Sequence, residues 1–338
     1  IGESAFEGCS SLTNIIIPNS VIEIGKYAFY ECSALSNITI PNSVIKIGPY
    51  AFSYCKSINN VIIPSSIVKI SESLFENCLS LSNIIIPDSV IEIGPYAFSY
   101  TSIINISIPN SITKIRNNAF YVNLLTNITI PNSISSIGSN VFDKCENLTV
   151  ITIPNVIEII GRHVLFGKNI LTGFTLPETI KVLNNNTFFE HDINTIIIPN
   201  NITEIGEYAF SDCKTLTNII IPNSVTRIGK YAFFKCKSLT NIIIPSSITE
   251  IGSYAFYKCI SLTNIIIPNG VTKIKKFTFA YCSSLSSIRL PNNLQFIETG
   301  AFFNCLFIQE VIIPYNTVIE NAAFYGCNFT TPKRFSKN

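Results

Sequence analysis

Eleven cysteines, two histidines and a row of glycines are the residues of this 338-residue chain whose types and spacing could do chemistry. The cysteines (Cys9, Cys32, Cys55, Cys78, Cys145, Cys213, Cys236, Cys259, Cys282, Cys305 and Cys327) each stand three residues after a phenylalanine. Zinc ligation by thiolates needs close pairs of the Cys-x-x-Cys kind, and the chain has none. Neighbouring copies could bring two α-carbons within the ~4.4–6.8 Å a disulfide spans, but an odd number of equivalent places makes a poor framework. Spacing is more telling. Where the cysteine is present, twelve positions separate the phenylalanine from the next repeat proline; after Phe98, Phe120, Phe166 and Phe188, where it is missing, the separation is eleven. The cysteines therefore belong to the longer arc and read as buried structural thiols.

His163 and His191 lie in two adjacent, irregular copies of the repeat, with Glu190 and Asp192 flanking the second. A small polar or metal-assisted site there is conceivable, and an enzymatic role would have to run through His191. Catalysis requires convergent groups, however, and drift at the surface of degenerate repeats accounts for two isolated histidines more simply. The glycines at Gly25, Gly48, Gly94, Gly206, Gly229 and Gly252 fall at repeat spacing and read as turn residues, not as a phosphate loop. No residue is assigned a catalytic or metal-binding role, and no cofactor is called for.

The elements that must position these residues come from one repeated unit. Fourteen prolines, from Pro18 to Pro314, recur every 22 or 23 residues, and fifteen phenylalanines, from Phe6 to Phe324, keep step. A period this short predicts a solenoid. Leu or Ile stands six residues before each of these prolines, and the places three and one before it are aliphatic except at Phe174. Period-two alternation stopped by a residue without an N–H predicts one short, one-face-buried strand per coil, and stacked coils then build a parallel sheet. Fourteen strands ~4.8 Å apart would make it roughly 65 Å long. Cutting one repeat phenylalanine to alanine should cost ~3–5 kcal/mol.

The segment Leu216 to Ser224 reads Leu-x-x-Ile-x-Ile-x-x-Ser and resembles the leucine-rich-repeat core. With its Ile-Gly-x-Tyr-Ala-Phe-x-x-Cys half, the unit is similar to the BspA-like leucine-rich repeats of bacterial surface antigens and parasitic protists. The resemblance implies a leucine-rich-repeat solenoid of about 14–15 coils of 22–23 residues. A parallel β-sheet would form one face, with turns, short strands or 3-10 segments on the other. One solenoid domain is expected over residues 1–330, a fragment that starts within a repeat, followed by a tail or linker over 331–338. For function the resemblance implies a protein-binding module, a surface-displayed adhesin or antigen that contacts host or matrix proteins. An intracellular scaffold or regulator of an enzyme such as a phosphatase is the alternative.

Composition narrows the partner. Hydrophobic residues make up 47% and charged residues 13%, so the chain can bury a core. A net charge of +2, with basic runs too short to matter, argues against duplex nucleic acid. No apolar stretch reaches the roughly 20 residues of a spanning helix. Two strand places per coil must point outward. One is Asn in nine coils, including Asn218, Asn241 and Asn264; the other is Ile in eight, including Ile220, Ile243 and Ile266. Arg289 and Glu310 break these rows, and such departures are where a repeat surface becomes selective. These eight residues form the first candidate binding site. His163 and His191 form the second, within a stretch (98–195) whose short arcs and apparent one-residue insertion between Pro154 and Phe166 predict a change of curvature. Sequons at Asn37, Asn105 and Asn127 would place glycans on the same sheet.

Overall fold

The computed structural model describes residues 1–164, 176–328 and 333–334. A typical coil contains a long strand, a proline turn, a second strand of two residues, a glycine corner and an arc of turns that carries the phenylalanine and cysteine; no helix occurs among the described residues. In the long strand Asn241–Ile243 the middle residue is buried and its neighbours are exposed. That exposed-buried-exposed order is the sequence alternation made physical. The short strand Glu250–Ile251 repeats it, with Ile251 inward.

The coils fall into two compact units, Ile1–Pro177 and Glu178–Asn338. In the first, the long strands Asn14–Ile16, Asn37–Thr39, Asn60–Ile62 and Asn83–Ile85 form one parallel ladder, and Asn127–Thr129 pairs with Val150–Thr152. In the second, Thr195–Ile197, Asn218–Ile220 and Asn241–Ile243 form a ladder, and Asn264–Ile266 pairs with Ser287–Arg289. The expected unbroken sheet is thus divided. Residues 105–107 carry no strand, and the gap falls in the coil after Phe98, the first whose arc has lost its cysteine residue. Short strands make their own parallel ladders, so the solenoid has a second β face. Lys333–Arg334 pairs in parallel with Ile312–Ile313.

Phenylalanine fills the core. Phe210, Phe233, Phe256, Phe279 and Phe302 are fully buried, each ring stacked on the next at centroid distances of 5.2–5.4 Å. Offset stacks of this kind add to the large apolar area each ring removes from water.

Two expectations change. The glycine corners, read as turn residues, are set by close approach and not by a left-handed backbone: a Cβ at Gly229 would stand 2.7 Å from the nitrogen of Glu207 and from the carbonyl carbon of Gly206, backbone of the preceding coil. The left-handed places are held instead by Tyr231 and Lys235 (φ 57° each) and their equivalents. Nor is there an insertion before Val164. Phe142 N–H donates to Val164 O as Phe120 N–H donates to Val141 O, and ten positions separate each valine from its proline, Pro154 or Pro131. Phe166 and the arc after it lie outside the described residues, and with them part of the stretch in which a change of curvature is expected.

Candidate binding surface

The long-strand face is built by a simple rule. Alternation turns every second side chain out, and in-register pairing stacks equivalent residues, so single residues become rows. Thr195, Asn218 and Asn241 are direct partners in one row, and Ile197, Ile220 and Ile243 in the next. The isoleucines are strongly exposed: Ile197 74%, Ile220 64%, Ile243 80% and Ile266 59%. Four such side chains in neighbouring coils give an apolar stripe of a few hundred Å², the size at which a patch marks an interaction site.

Its polar flank is satisfied from within. Asn264 Nδ2 donates to Asn241 Oδ1 at 2.8 Å, and in the first unit Asn127 Nδ2 donates to Asn105 Oδ1 at 3.0 Å. Thr217, Thr240 and Thr263 each send a hydroxyl to the carbonyl of the equivalent residue one coil back, Asn194, Thr217 and Thr240, at 3.2–3.4 Å. The stripe therefore lies on a stiff, uncharged surface. It ends at Arg289, which directly opposes Ile266 and is exposed. Glu310 is exposed two residues before the strand Ile312–Ile313. In the first unit the same face is hollowed into two grooves, one lined by Asn14, Ile16, Asn37, Thr39 and Ile62 with the turn residues Asn19 and Asn42, the other by Asn83, Ile85, Asn105 and Ser107 with Asp88 and Asn110.

The two histidines of the second candidate have different settings. His191 is 1% exposed and occupies the cysteine place of its arc, so the reading as surface drift is wrong for this residue. Burial pushes its imidazole down to about 4, and its Nδ1 has no hydrogen-bond partner. His163 sits half-buried at a left-handed place (φ 51°) on the other side of the coil's phenylalanine position. No group of three or more His, Cys, Asp or Glu able to hold a metal ion occurs among the described residues. Among the described residues no helix is long and apolar enough to cross a membrane.

One feature escaped the sequence reading. Outward residues of the short strands form a ladder of opposite charges: Arg227 bridges Glu204 at 3.0 Å and Glu250 at 3.2 Å, and Glu92 meets Lys69 at 3.1 Å and, just past the strand Lys114–Ile115, Arg116 at 3.0 Å. The basic partners are solvent-exposed, and each pair contributes at most about 1 kcal/mol.

Three stretches, 1–123, 91–217 and 204–330, match the family model described as BspA type leucine rich repeat region, in six copies. A leucine-rich repeat protein from Bacteroides ovatus is 28% identical, with 92% of this chain and 88% of that one covered and a TM-score of 0.76. A leucine rich cell surface protein from Faecalibacterium prausnitzii is also 28% identical over 98% of this chain and 83% of that one, with a TM-score of 0.53. A leucine-rich repeat protein from Eubacterium ventriosum shares the fold at 23% identity, 81% and 84% coverage and a TM-score of 0.52. None of the curated proteins compared matches the chain.

Proposed function

The chain belongs to the BspA-type leucine-rich-repeat family, and from that premise we propose that it is a surface-displayed binding module whose long-strand face grips a host or matrix protein. The carrying observation is the isoleucine stripe from Ile197 to Ile266, exposed over four coils beside a threonine column and an Asn241–Asn264 pair that are hydrogen-bonded within the sheet. Leaving that much aliphatic surface in water costs about 25 cal/mol per Å², which a partner recovers by covering it. Arg289 and Glu310 at one end supply the charges that orient the partner along the rows. Similarity to the F. prausnitzii leucine rich cell surface protein supports display outside the cell.

Two measurements test the reading. Protease shaving of intact source cells should release peptides of this repeat; peptides seen only after lysis would move the module inside the cell, as a scaffold. In pull-downs from host or matrix extracts, Ile243→Glu should abolish capture of the partner while the chain stays folded. Unchanged capture would remove the long-strand face from the interaction.

A further inference from the structure

The net charge of +2 conceals a division along the chain. Ten of the 23 Lys and Arg residues but one of the 21 acids, Glu250, lie between Cys213 and Leu290; that stretch carries +9 and the remainder −7. Two of the ten, Arg227 and Lys275, are paired with Glu250, and Lys235 reaches Asp212 only at 3.9 Å. Six of the basic residues fall on the arc, away from the isoleucine stripe, and repeat by place: Lys214 and Lys237, Lys235 and Lys258, Lys230 and Lys276. Equivalent places stack along the solenoid, so the first two pairs sit one coil apart, at the ~5 Å pitch of the rings beneath them, and Lys230 and Lys276 two coils apart with Ser253 between them.

The rings hold the cations up. Lys230 lies 4.9 Å from the centroid of Tyr231, Lys235 5.0 Å from Phe234, and Lys258 5.5 Å from Tyr257. Tyr208, Tyr231, Tyr254 and Phe277 are stacked on one another at 4.6–5.1 Å, which leaves their faces covered.

We propose that this arc binds a linear polysaccharide carrying sulfate or carboxylate groups. Flexible ammonium groups spaced by one or two coils match a polymer of repeated anionic groups. Single-stranded nucleic acid is the weaker fit, because it needs open ring faces for its bases, and here neighbouring rings occupy them. The arc has no arginine fork among these six residues for phosphate either.

The test uses the whole chain, heparin oligosaccharides as probe and a salt series. Wild type should bind with an affinity that falls steadily with salt. Lys235→Glu with Lys258→Glu should weaken binding about tenfold or more. Lys56→Glu with Lys114→Glu, an equal charge change in the first unit, should alter it less than about twofold. If the glutamates compromise folding, judged by circular dichroism, Lys235→Ala with Lys258→Ala should still show a several-fold loss. Equal losses in the two pairs, no heparin binding at low salt, or equal affinity for a single-stranded DNA oligomer of the same charge would each overturn the proposal. Ile243→Glu should leave heparin binding unchanged, which separates this site from the protein-binding face.

Discussion

Cys213 donates its thiol hydrogen to the carbonyl oxygen of Phe188, one coil back, with 3.0 Å between sulfur and oxygen. The relationship recurs down the core: Cys236 donates to Phe210 O, Cys259 to Phe233 O and Cys282 to Phe256 O at 3.0–3.1 Å. Each such oxygen also accepts the N–H of the residue three further along its own coil, His191 for Phe188 and a cysteine for the others, so the thiol saturates a buried carbonyl that would otherwise face the core half-paired. In the short arcs, polar residues take the place. Asn123 Nδ2 donates to Phe98 O at 3.0 Å, and Thr101 Oγ1 donates to the same oxygen at 3.0 Å.

Burial makes these thiols unreactive. It pushes Cys32 up to about 11 and Cys145 up to about 12, and raises Cys236 and Cys259 well above the ordinary range. Under native conditions a thiol reagent should modify exposed Cys9 quickly and leave the buried nine intact until the chain unfolds, as read by mass spectrometry. Cys259→Ala should cost about 1–3 kcal/mol in urea denaturation, from the Phe233 carbonyl left half-paired and the small void. Rapid native labelling of Cys259 would contradict the column.

Gly229→Ala should destabilise the second unit although its backbone is an ordinary one for any residue. The added methyl would press on the backbone of Gly206 and Glu207, which is locked in the stack and cannot yield as a side chain would. A cost of about 1–3 kcal/mol is expected, read as a lowered urea midpoint. An unchanged midpoint would mean that the corners are looser than the coil spacing implies.

How much of this was legible depended on whether a signal had room to repeat. The Asn and Ile rows could be read because a three-residue strand ending at proline shows its alternation. The charge ladder of Glu204, Arg227 and Glu250 could not, because a two-residue strand has no period; its trace was a charged residue before each buried isoleucine. The left-handed backbone at Tyr231 and Lys235 was marked only in other coils, where Asn118, Asn140, Asn186 and Gly300 hold the first place and Gly8, Asn77, Asn304 and Gly326 the second. The coil-to-coil bonds Tyr231 N to Ser253 O and Lys235 N to Tyr257 O, at 3.1 and 2.7 Å, hold those places against their local preference. The burial of His191 was readable: counted from Phe188, it stands where the cysteine stands elsewhere.

That burial gives the last prediction its sign. His191 titrates at about 4 in the folded chain against the ordinary 6.5 expected once unfolded, because the core disfavours the charged ring. Between those values the unfolded chain takes up a proton that the native one does not, so stability is full above pH 6.5 and falls as pH drops toward 4, by about 2–3 kcal/mol. Asp143, its carboxyl pushed up to about 6 by burial, works the opposite way across the same range. The clean comparison is therefore with His191→Asn, which copies the residue that Asn123 already supplies at this place in a short arc. The variant should lose the acid-side decline of the second unit while matching wild type near pH 7, as followed by melting temperature against pH. If both chains decline alike between pH 6.5 and 4, the imidazole is hydrated or hydrogen-bonded in solution and the polar core at His191 is open to water.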